Sequence, residues 1–269
     1  MDRQFVKVEK GLGPQGRIAV VRFDRGDGIN ALSQQAMREL CDVPRDFEDD
    51  LETSVVILTG TAKAFSAGFD LKDPEGRRRD ALSVGERLHR ARLGPKLCKA
   101  WQGMDQVTIA AIEGHCIGGG AALVVSLDFR TCGKSAHFRI PEIELGMNMS
   151  WGSIPRLLAL IGPARTKQAV ILASDRISAA EALDWGLVEK VVDDGQALAA
   201  SMEFAGRIAR QPPIPVRMTK SSVNRLAHAL DDLAAHMDAD QNVLTGLTED
   251  YKEGTSAFRE KRKPTFKGR

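Results

Sequence analysis

Apolar and polar residues alternate with a two-residue step over Phe5–Glu9 and again over Arg17–Phe23. With the Gly-Pro-containing stretch Gly11–Gly16 between them, they predict a β-hairpin at the start of the chain. After the loop Asp24–Ile29 the spacing turns helical. Met37, Leu40, Val43 and Phe47 recur over Gln34–Asp50, Ser33 is a natural N-cap, and Pro44 is the one conflicting residue. Val55–Thr59 is a short apolar run rich in β-branched residues, the pattern of a buried strand, and Val107–Ile112 reads as a second strand. Glu86–Met104 reads as a helix broken or bent at Gly94-Pro95, Phe129–Cys132 and His137–Ile140 as short strands, and Pro141–Ser153 as a loop. Helical pattern then dominates over Ile154–Ile161, Ala164–Leu172 and Ala179–Gly186, before Leu187–Val192 returns to strand. Two or three long amphipathic helices are expected in Gly195–Arg269, around the breaker Gln211–Pro215. The pattern therefore divides the chain into a strand-rich core, residues 1–194, and a helical region, residues 195–269.

Two of the predicted strand ends run into turns of small residues. Val55–Thr59 leads into Gly60–Leu71, and Val107–Ile112 leads through Glu113–Ile117 to Gly118-Gly119-Gly120, followed by a helix predicted to reach about Leu127. Residues without Cβ let a ligand approach the backbone, and the first turn of a helix has free N–H groups with the positive end of the dipole behind them. Such a turn suits a phosphate or an oxyanion that develops during a reaction. The phosphate reading lacks support, because Gly114-x-x-x-Gly118-Gly119-Gly120 matches neither GxGxxG nor GxxxxGK[ST] and no lysine follows the glycines. A serine-hydrolase elbow is disfavoured, since Ala64 stands where GxSxG around Ser66 needs its first glycine. Two N–H groups from different loops can converge on one carbonyl oxygen, and such a donor contributes about 2.7–4 kcal/mol in a transition state.

Composition narrows the classes. A chain of 269 residues that is 43% apolar can bury a large core, and a net charge of +2 gives no global attraction for nucleic acid or an anionic membrane. The cysteines Cys41, Cys98, Cys116 and Cys132 form no CxxC pair and read as reduced core thiols. His89, His115, His137, His228 and His236 form no ligand pair, so no metal site is expected. The N-terminus has no apolar signal core and no stretch approaches the ~20 apolar residues of a membrane span, so a cytoplasmic protein is expected.

Three segments together resemble the crotonase (enoyl-CoA hydratase/isomerase) superfamily: Lys63-Ala64-Phe65-Ser66-Ala67-Gly68-Phe69-Asp70-Leu71-Lys72, Ala110–Gly120, and Ile140-Pro141-Glu142-Ile143-Glu144-Leu145-Gly146. The similarity runs from Asn30-Ala31-Leu32-Ser33 to Ser256–Pro264 and so covers nearly the whole chain. It implies an α/β fold, a spiral of ββα units with a C-terminal helical trimerisation region, assembled as a homotrimer or a dimer of trimers. It also implies an acyl-CoA thioester substrate, with coenzyme A part of the substrate and no separate cofactor. By match to the motif, the backbone N–H groups of Phe69 and Gly119 form an oxyanion hole for the thioester enolate, and Glu142 is the general acid/base. The CoA would be held by Ile29, Ala31, Ala67, Asp70, Leu71, Lys72, Gly118 and Pro141, with Phe258 and Lys261 closing over it from the C-terminal region. Arg77–Arg79 reads first as a solvated loop and second as a contact for CoA phosphates.

The resemblance also marks a departure. The family's best-known hydratases carry a second glutamate on the helix after the glycines, where this chain has Ala122, twenty residues before Glu142. Water addition with two acid/base groups is thereby weakened, and a one-base reaction is expected, either double-bond isomerisation or a hydratase-lyase reaction. Glu144 reads as structural. Ser150 occupies the place of a catalytic aspartate in the related dehalogenases, and without a neighbouring base it is a poor nucleophile. Asn148, Met149 and Trp151 are expected to line the acyl pocket. The competing expectations are a crotonase-fold acyl-CoA binder without activity and, more distantly, an RNA-binding member of the fold, against which the near-neutral charge argues.

Overall fold

The computed structural model describes residues 3–73, 82–173 and 175–269. The opening hairpin pairs β1 (Val6–Leu12) antiparallel with β2 (Ile18–Phe23), and β2 continues in parallel register into β3 (Val55–Thr59), β5 (Val107–Ile112), β7 (Phe129–Gly133) and β10 (Lys190–Val192). A second, four-stranded sheet contains β4 (Ala64–Ser66), β6 (His115–Ile117), β8 (His137–Arg139) and β9 (Ile177–Ser178). Each of β3, β5 and β7 in the large sheet hands the chain to β4, β6 or β8 in the small one. This is the spiral of a crotonase-type α/β fold, with helices completing each turn.

The continuous apolar runs are explained by burial on both faces. Val56, Leu58, Ala110 and Ile112 face one apolar cluster with Leu40, Phe65, Trp101 and Leu123, while Val55, Ile57, Ile109 and Ala111 face a second one. Ala197, Ala205 and Ala209 of the helix Ala197–Ala209 close that second cluster. Their small side chains bring the helix close to the sheet, so this helix belongs physically to the core although it lies beyond residue 195. All four cysteines are buried and free.

The C-terminal helices Pro213–Ala227, Asp231–Ala235, Asp238–Thr245 and Glu249–Glu260 attach differently. No residue of Pro213–Ala227 is buried. Polar groups hold it instead: Lys220 Nζ donates to Asp128 Oδ2 (2.7 Å) and to the Gln106 carbonyl (2.6 Å), and Arg217 donates to the Thr53 carbonyl (3.1 Å). Among the described residues no helix is long and apolar enough to cross a membrane.

Several sequence expectations are corrected. The helix begun at Gln34 ends at Asp42 and becomes a 3-10 turn over Pro44–Phe47, because Pro44 has no N–H to continue the ladder. The helix after the glycines covers only Gly119–Val124. Strands β4 and β6 lie inside segments read as a loop and as the approach to a turn. Three residues are too few to show a period, and pairing across the small sheet makes them strands. The expected break at Gly94-Pro95 falls two residues earlier, at Arg92, with Pro95 in the first turn of the helix Leu93–Gln102. Two helices expected on either side of Gly162-Pro163 form one element, Ser153–Ile171, bent where Gly162 has φ 73°. The C-terminal region contains five shorter helices rather than two or three long ones.

Candidate functional site

The two small-residue turns meet because their strands are neighbours: β3 pairs with β5 and β4 with β6. Phe69 follows Gly68, whose φ of 82° calls for glycine. Leu32 donates its N–H to the Gly68 carbonyl (2.7 Å) and accepts from the Asp70 N–H (3.0 Å), so in this parallel bridge the Phe69 N–H points to the opposite side, away from Leu32. Gly119 opens its helix, and its N–H has no intrahelical acceptor. A methyl group on Gly68 would lie 3.2 Å from the Gly119 nitrogen, so the two turns are packed backbone against backbone. Ser66 steadies the first turn by accepting the Gly68 N–H (3.1 Å), and Gly120 lacks a Cβ because one would come within 2.8 Å of Ser66 Cβ.

Glu142 faces these turns from a 3-10 turn, Glu142–Leu145, and a methyl on Gly118 would lie 2.7 Å from its Oε1. The residue is only part-buried as a whole, but Oε2 is buried without a hydrogen-bond partner among the described residues. Desolvation pushes the carboxyl up from its ordinary value to about 7, against smaller opposing pulls from the backbone and from Arg139. Arg139 is itself ion-paired with Glu144 and donates to the Ala173 carbonyl (3.0 Å).

Phe69, Gly119 and Glu142 line one cavity of about 170 Å3, together with Ala122, Met149 and Trp151. This volume fits a small acyl group. The other carboxylate on its border, Asp70, is held by Arg25 Nη1 at 2.7 Å and accepts the Lys72 N–H at 2.8 Å.

The remaining expected residues fall into two groups. Ile29, Ala31 and Ala67 are laced to the first turn: Ala67 donates to the Ile29 carbonyl (3.0 Å) and Arg25 to that of Ala31 (3.1 Å). Leu71 lines the cavity, Lys72 is exposed beside it, and Gly118 and Pro141 lie under the Glu142 carboxyl. Phe258 and Lys261 are exposed at the end of the helix Glu249–Glu260 and do not line the cavity. From that helix it is Tyr251 that borders the cavity. Arg77–Arg79 lies outside the described residues.

Sequence reading missed the buried Asn30, whose side chain donates to the carbonyls of Phe23 (2.8 Å) and Phe65 (2.9 Å) and accepts from the Arg25 N–H (3.0 Å). It thereby ties the hairpin to the first turn. The sequence signal was an asparagine within an otherwise apolar Ile29–Leu32 stretch. Tyr251, Arg87, Arg90 and Asn242 on the cavity border were missed as well. They come from helices distant in sequence, and no local pattern marks them.

Comparison with known proteins gives one family. The enoyl-CoA hydratase/isomerase family model matches residues 13–269. A crotonyl-CoA hydratase from Syntrophomonas wolfei is 34% identical over 95% of this chain and 96% of its own length, and a short-chain-enoyl-CoA hydratase from Clostridium acetobutylicum is 33% identical over 94% and 95%. Among solved structures, an enoyl-CoA hydratase from Bacillus anthracis has a TM-score of 0.76 at 32% identity, over 99% of this chain and 100% of that one. A carnitinyl-CoA hydratase from Mycobacterium avium has a TM-score of 0.81 at 27% identity, over 100% of both chains.

Proposed function

The chain belongs to the enoyl-CoA hydratase/isomerase family, and from that premise we propose that it moves a double bond within short enoyl-CoA thioesters, using Glu142 as its only acid/base group. The observation that carries this reading is the state of the Glu142 carboxyl. It is desolvated, poised near pH 7, over Gly118, and among the described residues the only cavity-lining carboxylate without a direct ion pair to an arginine. A base with such a pKa is matched to removing a proton at neutral pH and returning it.

In this reading the thioester oxygen accepts from the N–H groups of Phe69 and Gly119. Glu142 takes a proton from the α-carbon of a 3-enoyl thioester, the double bond shifts, and negative charge collects on the thioester oxygen beside the two donors. The protonated Glu142 then delivers its proton to the γ-carbon, giving the 2-enoyl thioester with no net gain or loss of atoms. Preorganised donors cost no reorganisation during the reaction, and both are backbone groups fixed by sheet pairing. The CoA would lie along Ile29, Ala31, Ala67 and Lys72 and reach the cavity past Leu71. A cytoplasmic homotrimer or dimer of trimers belongs to the same reading. Its support is the set of large apolar residues left exposed on the C-terminal helices, including Ile214, Met218, Leu226, Leu230 and Leu233.

Hydration is the second reading, because the relatives just described are named hydratases. Ala122 argues against it, since it leaves one carboxylate to activate water and to protonate the α-carbon. The deciding experiment is incubation with crotonyl-CoA, a 3-enoyl-CoA and feruloyl-CoA, following thioester absorbance and identifying products. Conversion of 3-enoyl- to 2-enoyl-CoA well above hydration of crotonyl-CoA is expected. Faster hydration would select the second reading, and tight binding without turnover of any of them would make the chain an acyl-CoA binder.

A further inference from the structure

The indole of Trp151 occupies the place that a second carboxylate would need. Gly119 and Ala122 are three residues apart on one short helix and share a face, and helical side chains lean toward the N-terminus. A long acidic side chain at position 122 would therefore lie over Gly119. That space is filled: a methyl on Gly119 would sit 2.6 Å from Trp151 Cη2 and 2.7 Å from Cζ3. The ring's other edge rests on Gly94, where any Cβ would collide with Cε2 and Nε1. Two glycines on separate helices thus form the slot that receives one indole.

The backbone under the ring is held with matching care. Trp151 has φ 67°, a left-handed conformation that is strained for a non-glycine residue and persists only where surroundings enforce it. Arg156 Nη1 donates to the Trp151 carbonyl (2.9 Å), and the next N–H, from Gly152, is accepted by Asp238 Oδ2 (2.7 Å). Both Arg156 and Asp238 are buried.

We propose that Trp151 is a specificity-determining residue that takes the volume of a second acid/base group above Gly119 and keeps water from the acyl chain. The inference rests on reading the cavity as an enoyl-thioester site. Ala122 and Trp151 then form a pair. Hydration adds the oxygen of water to the β-carbon and a proton to the α-carbon, and the indole fills the space in which a second carboxylate would hold that water. Proton transfer within the substrate needs neither.

The test is a double-mutant cycle with Ala122→Glu and Trp151→Gly, read as melting temperature, crotonyl-CoA affinity by calorimetry, and product identity. Glycine suits the backbone at 151, so that variant is expected to fold. In the Trp151 background, Ala122→Glu should lower the melting temperature and weaken crotonyl-CoA binding about tenfold; in the Trp151→Gly background it should cost little in either. The double variant should form 3-hydroxybutyryl-CoA from crotonyl-CoA at least about a hundredfold faster than Trp151→Gly alone. Equal losses in both backgrounds would overturn the proposal, as would a fully stable, tightly binding Ala122→Glu single variant. Should either glutamate variant fail to express, the same comparison with Ala122→Leu gives the steric coupling by itself. Stability and binding report on the pair even if the wild-type chain turns over no enoyl thioester, an outcome that would sink only the functional reading.

Discussion

One wall of the cavity is built from backbone and the other from side chains, and they are held in place by different means. The Gly68-Phe69 and Gly118–Gly120 turns are fixed by sheet register, through β3 with β5 and β4 with β6, and present N–H groups that no side-chain substitution nearby removes. The opposite wall, from Glu142 to Trp151, is fixed by the nearby Arg156 and by groups far along the chain, Asp238 and the start of the helix Glu249–Glu260. The backbone wall is thus tied to the fold itself, whereas the side-chain wall can be rewritten residue by residue without disturbing the spiral. On the proposed reading, Trp151 of the side-chain wall and Ala122, on the helix that continues the backbone wall, together set which reaction the cavity runs.

The largest effect should come from the carboxyl that faces Gly118. Glu142→Gln keeps shape and removes the base, and turnover of 3-enoyl-CoA should fall by about 10²–10⁴-fold with crotonyl-CoA affinity nearly unchanged. Turnover within a few-fold of wild type would show that the side-chain wall does not supply the chemistry. On the backbone wall, Gly119→Pro deletes one donor, and a loss of about 10²–10³-fold in kcat is expected. Since its ring would also press on Trp151, Gly119→Ala is the companion variant. It retains the N–H, so any loss there measures displacement of the indole alone.

Titration should separate the walls further. Glu142 must be ionised to accept a proton, so kcat/KM should rise with pH through about 7 and level off above it. For stability, the folded-state pKa is raised, which means the folded protein binds this proton more tightly than the unfolded chain. Stability should therefore fall as pH rises from about 4.5 to about 7 and stay at the lower level beyond. Glu142→Gln removes that penalty and should stabilise the fold at pH 8 by as much as about 3 kcal/mol, with no gain at pH 4. An inactive variant with an unchanged unfolding midpoint at both pH values would show that the carboxyl is not desolvated.

The difference between the walls also sets how much of the site was legible in the sequence. Val55–Thr59 and Val107–Ile112 declared themselves because strands covered on both faces are apolar throughout except for Thr59 and Thr108, and the turns after them followed from glycine. Strands β4 and β6 did not, since neither has enough residues for a period. Trp151 was visible as a departure in the acyl-pocket loop, but not the direction of its ring. That direction depends on Gly94, which read only as a helix breaker, and on Asp238, 87 residues downstream of Trp151. The family motif located Glu142, while the lack of a hydrogen-bond partner for Oε2 among the described residues needed coordinates.

The smallest expected effect tests whether the side-chain wall is held by charge or only by a hydrogen-bond acceptor. Asp238 accepts the Gly152 N–H from a buried position, and burial, the largest influence on its carboxyl, raises its pKa, opposed by that hydrogen bond and by the charges of Arg156 and His236. Asp238→Asn keeps an oxygen for Gly152 and relieves the desolvation. Its effect on stability should be small, with KM changed a few-fold at most. Asp238→Ala leaves a buried N–H without a partner, which costs about 1–3 kcal/mol, and releases the strained Trp151 backbone. That variant should raise KM more than it lowers kcat, because the indole shapes the acyl pocket while Glu142 and the two N–H groups stay where they are. If Asn and Ala lowered kcat equally with KM unchanged, Asp238 would act on the donors rather than on the wall opposite them.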